Sequence, residues 1–339
     1  MASRGAEVLA TAQVSSRDGR CRCCFPLIVR TRLRHLWLGR RPMRVNFIAH
    51  SEGTRGEPTQ TSDALRRRES GENFPVALRF LPRAVREDLH AIYAVARTID
   101  DLGDATPGDR VAALNDFRAD LHSIWRDGTP RSRVLQALAP TVRAHGLDAE
   151  PFDRLIEANL IDQRVSRYET FEELIAYCRL SADPVGRLVL DVFDQYSSEA
   201  AELSDQVCRA LQLLEHWQDV AEDRRAGRIY LPQEDLAAYG VRETDLDRTR
   251  ATGALRELMA FEIDRATKLL ESGAPLVGRL TGWARIAVAG YVAGGRAAAR
   301  GLRRKGGDIL GRTPKSRRRD VAFSAAALLL RAQTERIAR

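Results

Sequence analysis

Leu203, Val207, Leu211, Glu215, Asp219 and Asp223 stand four residues apart. On a helix that spacing makes one slowly winding stripe, apolar at its start and acidic at its end. The side that faces a core at one end therefore carries carboxylates at the other. Carboxylates at i, i+4 and i+8 repel one another by roughly 0.2–0.5 kcal/mol per exposed pair, and more when partly buried, so a cation belongs among them. An isolated D-x-x-x-D is commonly a solvated helix face. Two observations weigh against that here. The acidic stripe continues an apolar one, and a second stripe of the same kind lies upstream, where Val85, Leu89, Ile92, Ala96 and Ile99 lead into Asp100 and Asp104.

The rest of the pattern is helical, and period-2 alternation is nearly absent. Helices are expected over roughly 109–126, 131–144, 151–166, 188–196, 254–271 and 284–303, besides the two striped ones. Pro82 suits the first turn of the first striped helix, and Gly227 and Pro232 close the second. Thr170-Phe171-Glu172-Glu173 reads as a capping box, and Asp183-Pro184-Val185-Gly186 as a break. Trp125, Trp217 and Trp283 are expected in the core, and His122, His145 and His216 in structural or solvent-facing positions. A chain of 339 residues, 44% hydrophobic, can bury a sizeable core.

The net charge of +8 does not point to nucleic acid once it is divided along the chain. Residues 1–60 hold eleven Arg against four acids, residues 300–339 carry a net +9, and the body between them is mildly acidic. No basic stripe, zinc-finger spacing or aromatic signature for nucleic acid accompanies it. Cys21, Cys23, Cys24, Cys178 and Cys208 are an odd set with no second pair at zinc-ligand spacing, the pattern of reduced thiols in a cytoplasmic protein. Residues 1–62 are rich in Arg, Gly, Ser and Thr without periodicity and read as a disordered basic extension, either an over-long gene start with Met43 as the alternative or a flexible arm. They contain no secretion signal.

Residues 313–339 form a basic tail in which Lys315-Ser316-Arg317-Arg318-Arg319 precedes the apolar run 321–330. Ten residues are too few to cross a bilayer, which takes about twenty. Either the run docks on the body, or the tail rests peripherally on anionic lipid at the inner face of the membrane.

Two facing acidic stripes suit Mg²⁺, which takes one or two carboxylates and completes its shell with phosphate oxygens and water. Mg²⁺ bridging two acidic helices and a diphosphate would make departure of an allylic or cyclopropylcarbinyl diphosphate feasible. Arg97, Arg225 and Arg228 lie close to the motifs and can hold phosphate oxygens bidentately. A helical bundle with a di-iron site is the competing class. It usually needs two Glu-x-x-His motifs, and only Glu87-x-x-His90 is found.

The segments R-T-I-D-D-L-G-D (97–104), Y-C-R-L-S-A-D-P-V-G-R-L (177–188) and Q-D-V-A-E-D-R-R-A-G-R-I-Y-L-P (218–232) resemble the squalene and phytoene synthase family. W-Q-D-V, G-R-I-Y-L-P-Q-E-D and E-N-F-P-V-A are most similar to its hopanoid-pathway branch, the hydroxysqualene synthases. The resemblance covers residues 63–312. It implies an all-α, single-domain trans-prenyl isoprenoid synthase bundle around a central apolar cavity, with three Mg²⁺ ions on a diphosphate. It implies ionisation of presqualene diphosphate and capture by water as hydroxysqualene. The alternative is a head-to-head prenyltransferase joining two farnesyl or geranylgeranyl diphosphates to give presqualene diphosphate, squalene or phytoene.

Carried over by position, Asp100, Asp104, Asp219 and Asp223 are metal ligands, and Glu215 joins them where many members have Asn. Arg97 and Arg228 would contact diphosphate, with Arg225 a further candidate only by its closeness to the second motif; Asn73-Phe74 sits near substrate, and Tyr177 matches a tyrosine that steers the cation or assists proton transfer. Gln218 replaces an Arg of eukaryotic squalene synthases. No G-x-G-x-x-G follows a strand, so NADPH binding is not expected. Other enzymes of the same pathway are potential partners for handing on an oily product.

Overall fold

The computed structural model describes residues 81–126, 128–311 and 318–337, and every regular element among them is helical. Pro82 stands just ahead of α1 (Arg83–Asp104), where its missing N–H costs nothing. Next come α2 (Arg110–Leu121), α3 (Ser123–Arg126), α4 (Arg133–His145) and α5 (Glu150–Ile161). The chain continues with α6 (Phe171–Ser181), α7 (Asp183–Val192), the long α8 (Ser198–Arg225) and the short α9 (Gln233–Ala238). A 3-10 turn spans Glu243–Asp247, and α10 (Gly253–Gly273), α11 (Leu276–Arg279), α12 (Gly282–Arg304) and α13 (Arg318–Ile337) complete the chain.

Helix α8 is the axis. It packs against α7, α10 and α12, while α1 packs against α2, α4 and α5. The approach of α8 to α10 requires a glycine, because a Cβ on Gly273 would stand 2.6 Å from the Leu203 carbonyl oxygen. Side chains such as Phe152, Ile99 and Leu213 are fully enclosed, and each contributes roughly 1.5–3 kcal/mol relative to exposure. Ser197 caps α8 by accepting from the Ala200 N–H at 3.1 Å. At the other end Gly227 takes φ +86°, the left-handed conformation that turns the chain out of the helix.

Several expectations are adjusted. The Thr170 hydroxyl accepts from Glu173 N–H, but the Glu173 carboxylate accepts from Glu169 N–H, one residue ahead of the cap. The expected break at 183–186 is a single junction residue, Ala182, after which Asp183 and Pro184 already form the first turn of α7. Trp217 is fully buried as expected, whereas Trp125 and Trp283 are 37% and 43% exposed; Trp125 lies at the rim, donating Nε1–H to the Leu147 carbonyl. Cys178 and Cys208 are buried free thiols.

The apolar run of the tail docks on the body. Val321 and Leu328 are buried, α13 packs on α12 and α11, and Phe323 and Leu330 stay exposed. No helix among the described residues is long and apolar enough to cross a membrane. Residues 1–62, with Cys21, Cys23 and Cys24, lie outside the described residues, as do Asn73, Phe74 and Lys315–Arg317.

Candidate active site

Both acidic stripes end where their helices end. Asp100 and Asp104 occupy the last turns of α1, and Asp219 and Asp223 the last turns of α8. Carboxylates normally favour the opposite end, because the helix macrodipole is negative at its C-terminus. Two such ends carrying two such motifs make a place that favours cations.

Arg228 joins them. Its Nη2 donates to Asp104 Oδ1 at 3.1 Å, and its backbone N–H donates to the Asp223 carbonyl at 2.9 Å. The ion pair is close to fully enclosed, each side chain being 10% exposed. Asp100 is buried and accepts from Asn159 Nδ2 at 3.1 Å. Gly103 leaves room for that amide, since a Cβ there would stand 2.4 Å from Asn159 Oδ1. Gln163 Nε2 donates to the Gly103 carbonyl at 3.0 Å, tying α1 to the end of α5 a second time.

On α8, Glu215, Asp219 and Asp223 are half-buried. Burial, followed by the charges of Asp223 and Glu222, pushes the Asp219 carboxyl up to about 8. Asp223 Oδ2 lies 4.0 Å from His216 Nδ1. His216 is 3% exposed and stacks on Tyr230 with ring centroids 3.8 Å apart. Tyr177 and Tyr230 both donate to Asp162, at 2.8 and 3.0 Å. His216, Asp223, Arg228 and Tyr230 line one small pocket.

A second, apolar pocket opens between α7, α8 and α12, lined by Val185, Val189, Val207, Cys208, Val288 and Tyr291. Val207 precedes Asp219 on α8 by a distance of about 18 Å at 1.5 Å per residue. The apolar-to-acidic stripe thus runs from an oily pocket to a charged helix end.

The other expected residues fall as follows. Arg97 pairs with Asp101 at 3.0 Å, one turn on, with its side chain 15% exposed. Arg225 is exposed at the end of α8, while its neighbour Arg224 is engaged by Glu243 and Asp247. Asn159 and Asp162 are not singled out by the sequence, and His216 is expected from it only in a structural or solvent-facing position. Tyr230 lies inside a motif, but the pairing that makes it matter is with a residue 68 positions away.

Residues 67–320 match the family described as squalene/phytoene synthase. The chain belongs to that family. It is therefore an isoprenoid synthase, from a family that acts on prenyl diphosphates with divalent metal. Among its relatives, the hydroxysqualene synthase of Zymomonas mobilis is 38% identical over 207 residues, 59% of this chain and 68% of that one. The phytoene synthase of Mycobacterium bovis is 35% identical over 219 residues, 63% of this chain and 71% of that one. The crystal structure of squalene synthase HpnC from Alicyclobacillus acidocaldarius matches with a TM-score of 0.67 and 41% identity, over 72% of this chain and 93% of that one.

The donor set of this squalene/phytoene synthase suits such a metal. Among the described residues no three His, Cys, Asp or Glu side chains converge to enclose an ion by themselves. An ion there would complete its shell with phosphate and water oxygens, which is the habit of Mg²⁺. The Asp219 carboxyl is raised first by burial and then by the charges of Asp223 and Glu222, and a cation bound there would oppose both.

Proposed function

We propose that this synthase ionises presqualene diphosphate with Mg²⁺, lets the cation rearrange and captures it with water, giving hydroxysqualene and diphosphate. The observation that carries the proposal is the Arg228 bridge between the two acidic helix ends, at the head of a stripe that leads from an apolar pocket. It provides cationic and metal-binding groups for a diphosphate and apolar walls for its chain. Asp100, Asp104, Glu215, Asp219 and Asp223 would hold the ions, whose chemistry when bound is neutralisation of the departing diphosphate. Arg228, with Arg97 and Arg225, meets phosphate oxygens. Tyr177 borders the cation, the apolar walls keep bulk water from quenching it, and Asn73-Phe74 contributes near the substrate.

The neutral Gln218 supports this reading over full condensation and reduction, as does the similarity to a hydroxysqualene synthase. The similarity to a phytoene synthase favours the second reading, head-to-head joining of two prenyl diphosphates. Purified protein with Mg²⁺ is given presqualene diphosphate, and separately farnesyl diphosphate. Hydroxysqualene from the first supports the proposal, and turnover of the second alone rejects it. Peripheral contact with the inner face of the membrane belongs to the same reading, through exposed Phe323 and Leu330 beside the basic tail. Flotation with anionic vesicles tests it, and recovery of all the protein in the unbound fraction removes it.

A further inference from the structure

Asp162 follows the last turn of α5 and is 9% exposed. Each of its oxygens accepts a phenol: Tyr177 Oη donates to Oδ2 and Tyr230 Oη to Oδ1. The two tyrosines come from α6 and from the segment that leaves α8. Each is 4% exposed, and their rings lie 5.7 Å apart. Tyr230 also lines the pocket that holds Asp223 and Arg228, so the hydrogen-bonded trio shares a wall with the second acidic motif. Two phenylalanines over an apolar side chain would fill the same space without burying three polar groups. That makes packing a poor reason for the arrangement.

A phenol has one proton. With that proton committed to Asp162, each tyrosine oxygen offers only lone pairs to anything else. Departure of diphosphate from a prenyl chain leaves a carbocation, and the cation is discharged either by water or by losing a proton from carbon. Both routes release one proton where bulk water has been excluded.

We propose that Asp162 is a positioning residue which, by holding the protons of Tyr177 and Tyr230, turns their oxygens into acceptors for the proton released when the cation is discharged. In capture by water, a water lone pair forms the C–O bond. One O–H bond then breaks, its electron pair staying on that oxygen. The proton passes to a phenol oxygen as the phenol's own proton moves to Asp162, leaving an alcohol, an intact phenol and a carboxylic acid that returns its proton to solvent when product leaves. In loss from carbon, a C–H bond breaks, its pair closes the ring or double bond, and the proton takes the same path. The inference rests on the family reading that a cation forms here. It does not rest on which route discharges it.

The test uses full-length protein with Mg²⁺ and whichever of presqualene or farnesyl diphosphate the wild type turns over, so a wrong substrate assignment is told apart from a wrong role for Asp162. Asp162→Asn should lower kcat on the order of 100-fold with KM unchanged and helical content retained. Combined with Tyr177→Phe, it should be no slower than the worse single variant, because both changes interrupt one path. Tyr230→Phe keeps the ring on His216 and removes one donor, so it reads the same path should Asp162→Asn not fold, with an intermediate loss of kcat. Wild-type kcat in Asp162→Asn or in Tyr230→Phe, or losses that multiply in the Asp162→Asn, Tyr177→Phe double variant, would overturn the role.

Discussion

Arg228 and Asp104 meet at 3.1 Å across 124 residues of chain. This contact joins the end of α1 to the turn that leaves α8, so the two acidic motifs are neighbours through one guanidinium. The same residue donates its backbone N–H to Asp223. Its position therefore depends on Gly227 leaving the helix with positive φ and on the Asp104 carboxylate that its guanidinium grips. Under the proposed function, a diphosphate arriving here would meet a cation already held in place.

Replacing Arg228 by Lys keeps the charge and removes the planar fork. Reach and bidentate geometry are what phosphate binding takes from Arg. The expected result is a fall in kcat/KM of about 10- to 100-fold with a small change in melting temperature. Arg228→Ala should also cost stability, up to about 3 kcal/mol, because Asp104 loses a largely enclosed ion pair. Steady-state kinetics and urea unfolding read the two effects separately, and wild-type kinetics for Arg228→Lys would remove Arg228 from the diphosphate site.

Asp219→Asn should move activity and stability in opposite directions. The carboxyl sits partly buried beside Asp223 and Glu222, which together with burial hold it up at about 8, so the uncharged amide relieves a strain on the metal-free protein. Diphosphate release should fall by about 100-fold or more, helical content should be unchanged and the melting temperature should rise. A variant that still releases diphosphate at the wild-type rate would show that Asp219 holds no metal.

At Gly103 two effects compete. Alanine is the better helix former by roughly 0.5–1 kcal/mol, but its Cβ would stand 2.4 Å from Asn159 Oδ1, and overpacking of that kind costs about 1–3 kcal/mol. The clash should win, pushing the Asn159 amide off Asp100. Gly103→Ala is expected to lose about 10-fold in kcat with a modest drop in melting temperature. A rise in melting temperature with full activity would mean that Asn159 moves aside freely and does not hold Asp100.

The parts legible in the sequence were those with a local period or a local partner. The stripes of α1 and α8 announced themselves every three or four residues, and Thr170 found its cap partner three residues on. Asn159, Asp162 and His216 act through residues 59, 15 and 14 positions away, measured to Asp100, Tyr177 and Tyr230, and no periodicity reports such pairs. Trp125 and Trp283 show the converse failure. An apolar side chain gives no sign of whether its face of the helix meets a neighbour, and these two do so only at the rim.

Glu262 supplies a pH test away from the acidic motifs. It lies on α10 at 0% exposure, with Arg265 Nη1 3.5 Å away, while the Arg265 guanidinium grips Asp235 of α9 at 2.8 Å. Burial pushes the Glu262 carboxyl up to about 8; Arg265 opposes the shift, and the hydrogen bond to Asp235 and the charges of Asp235 and Glu234 reinforce it. In the unfolded chain the group titrates near 4.3 (roughly, for a free Glu). Between those two values the folded state holds one proton more than the unfolded state, so the stabilisation is complete below about pH 4.3 and lost as pH rises through about 8, at up to about 1.4 kcal/mol per unit. Glu262→Gln keeps the neutral shape and has no proton to lose. Urea midpoints measured from pH 5 to 8 should therefore fall more steeply with pH in the wild type than in the variant, and parallel curves would show that Glu262 is already ionised in the folded protein.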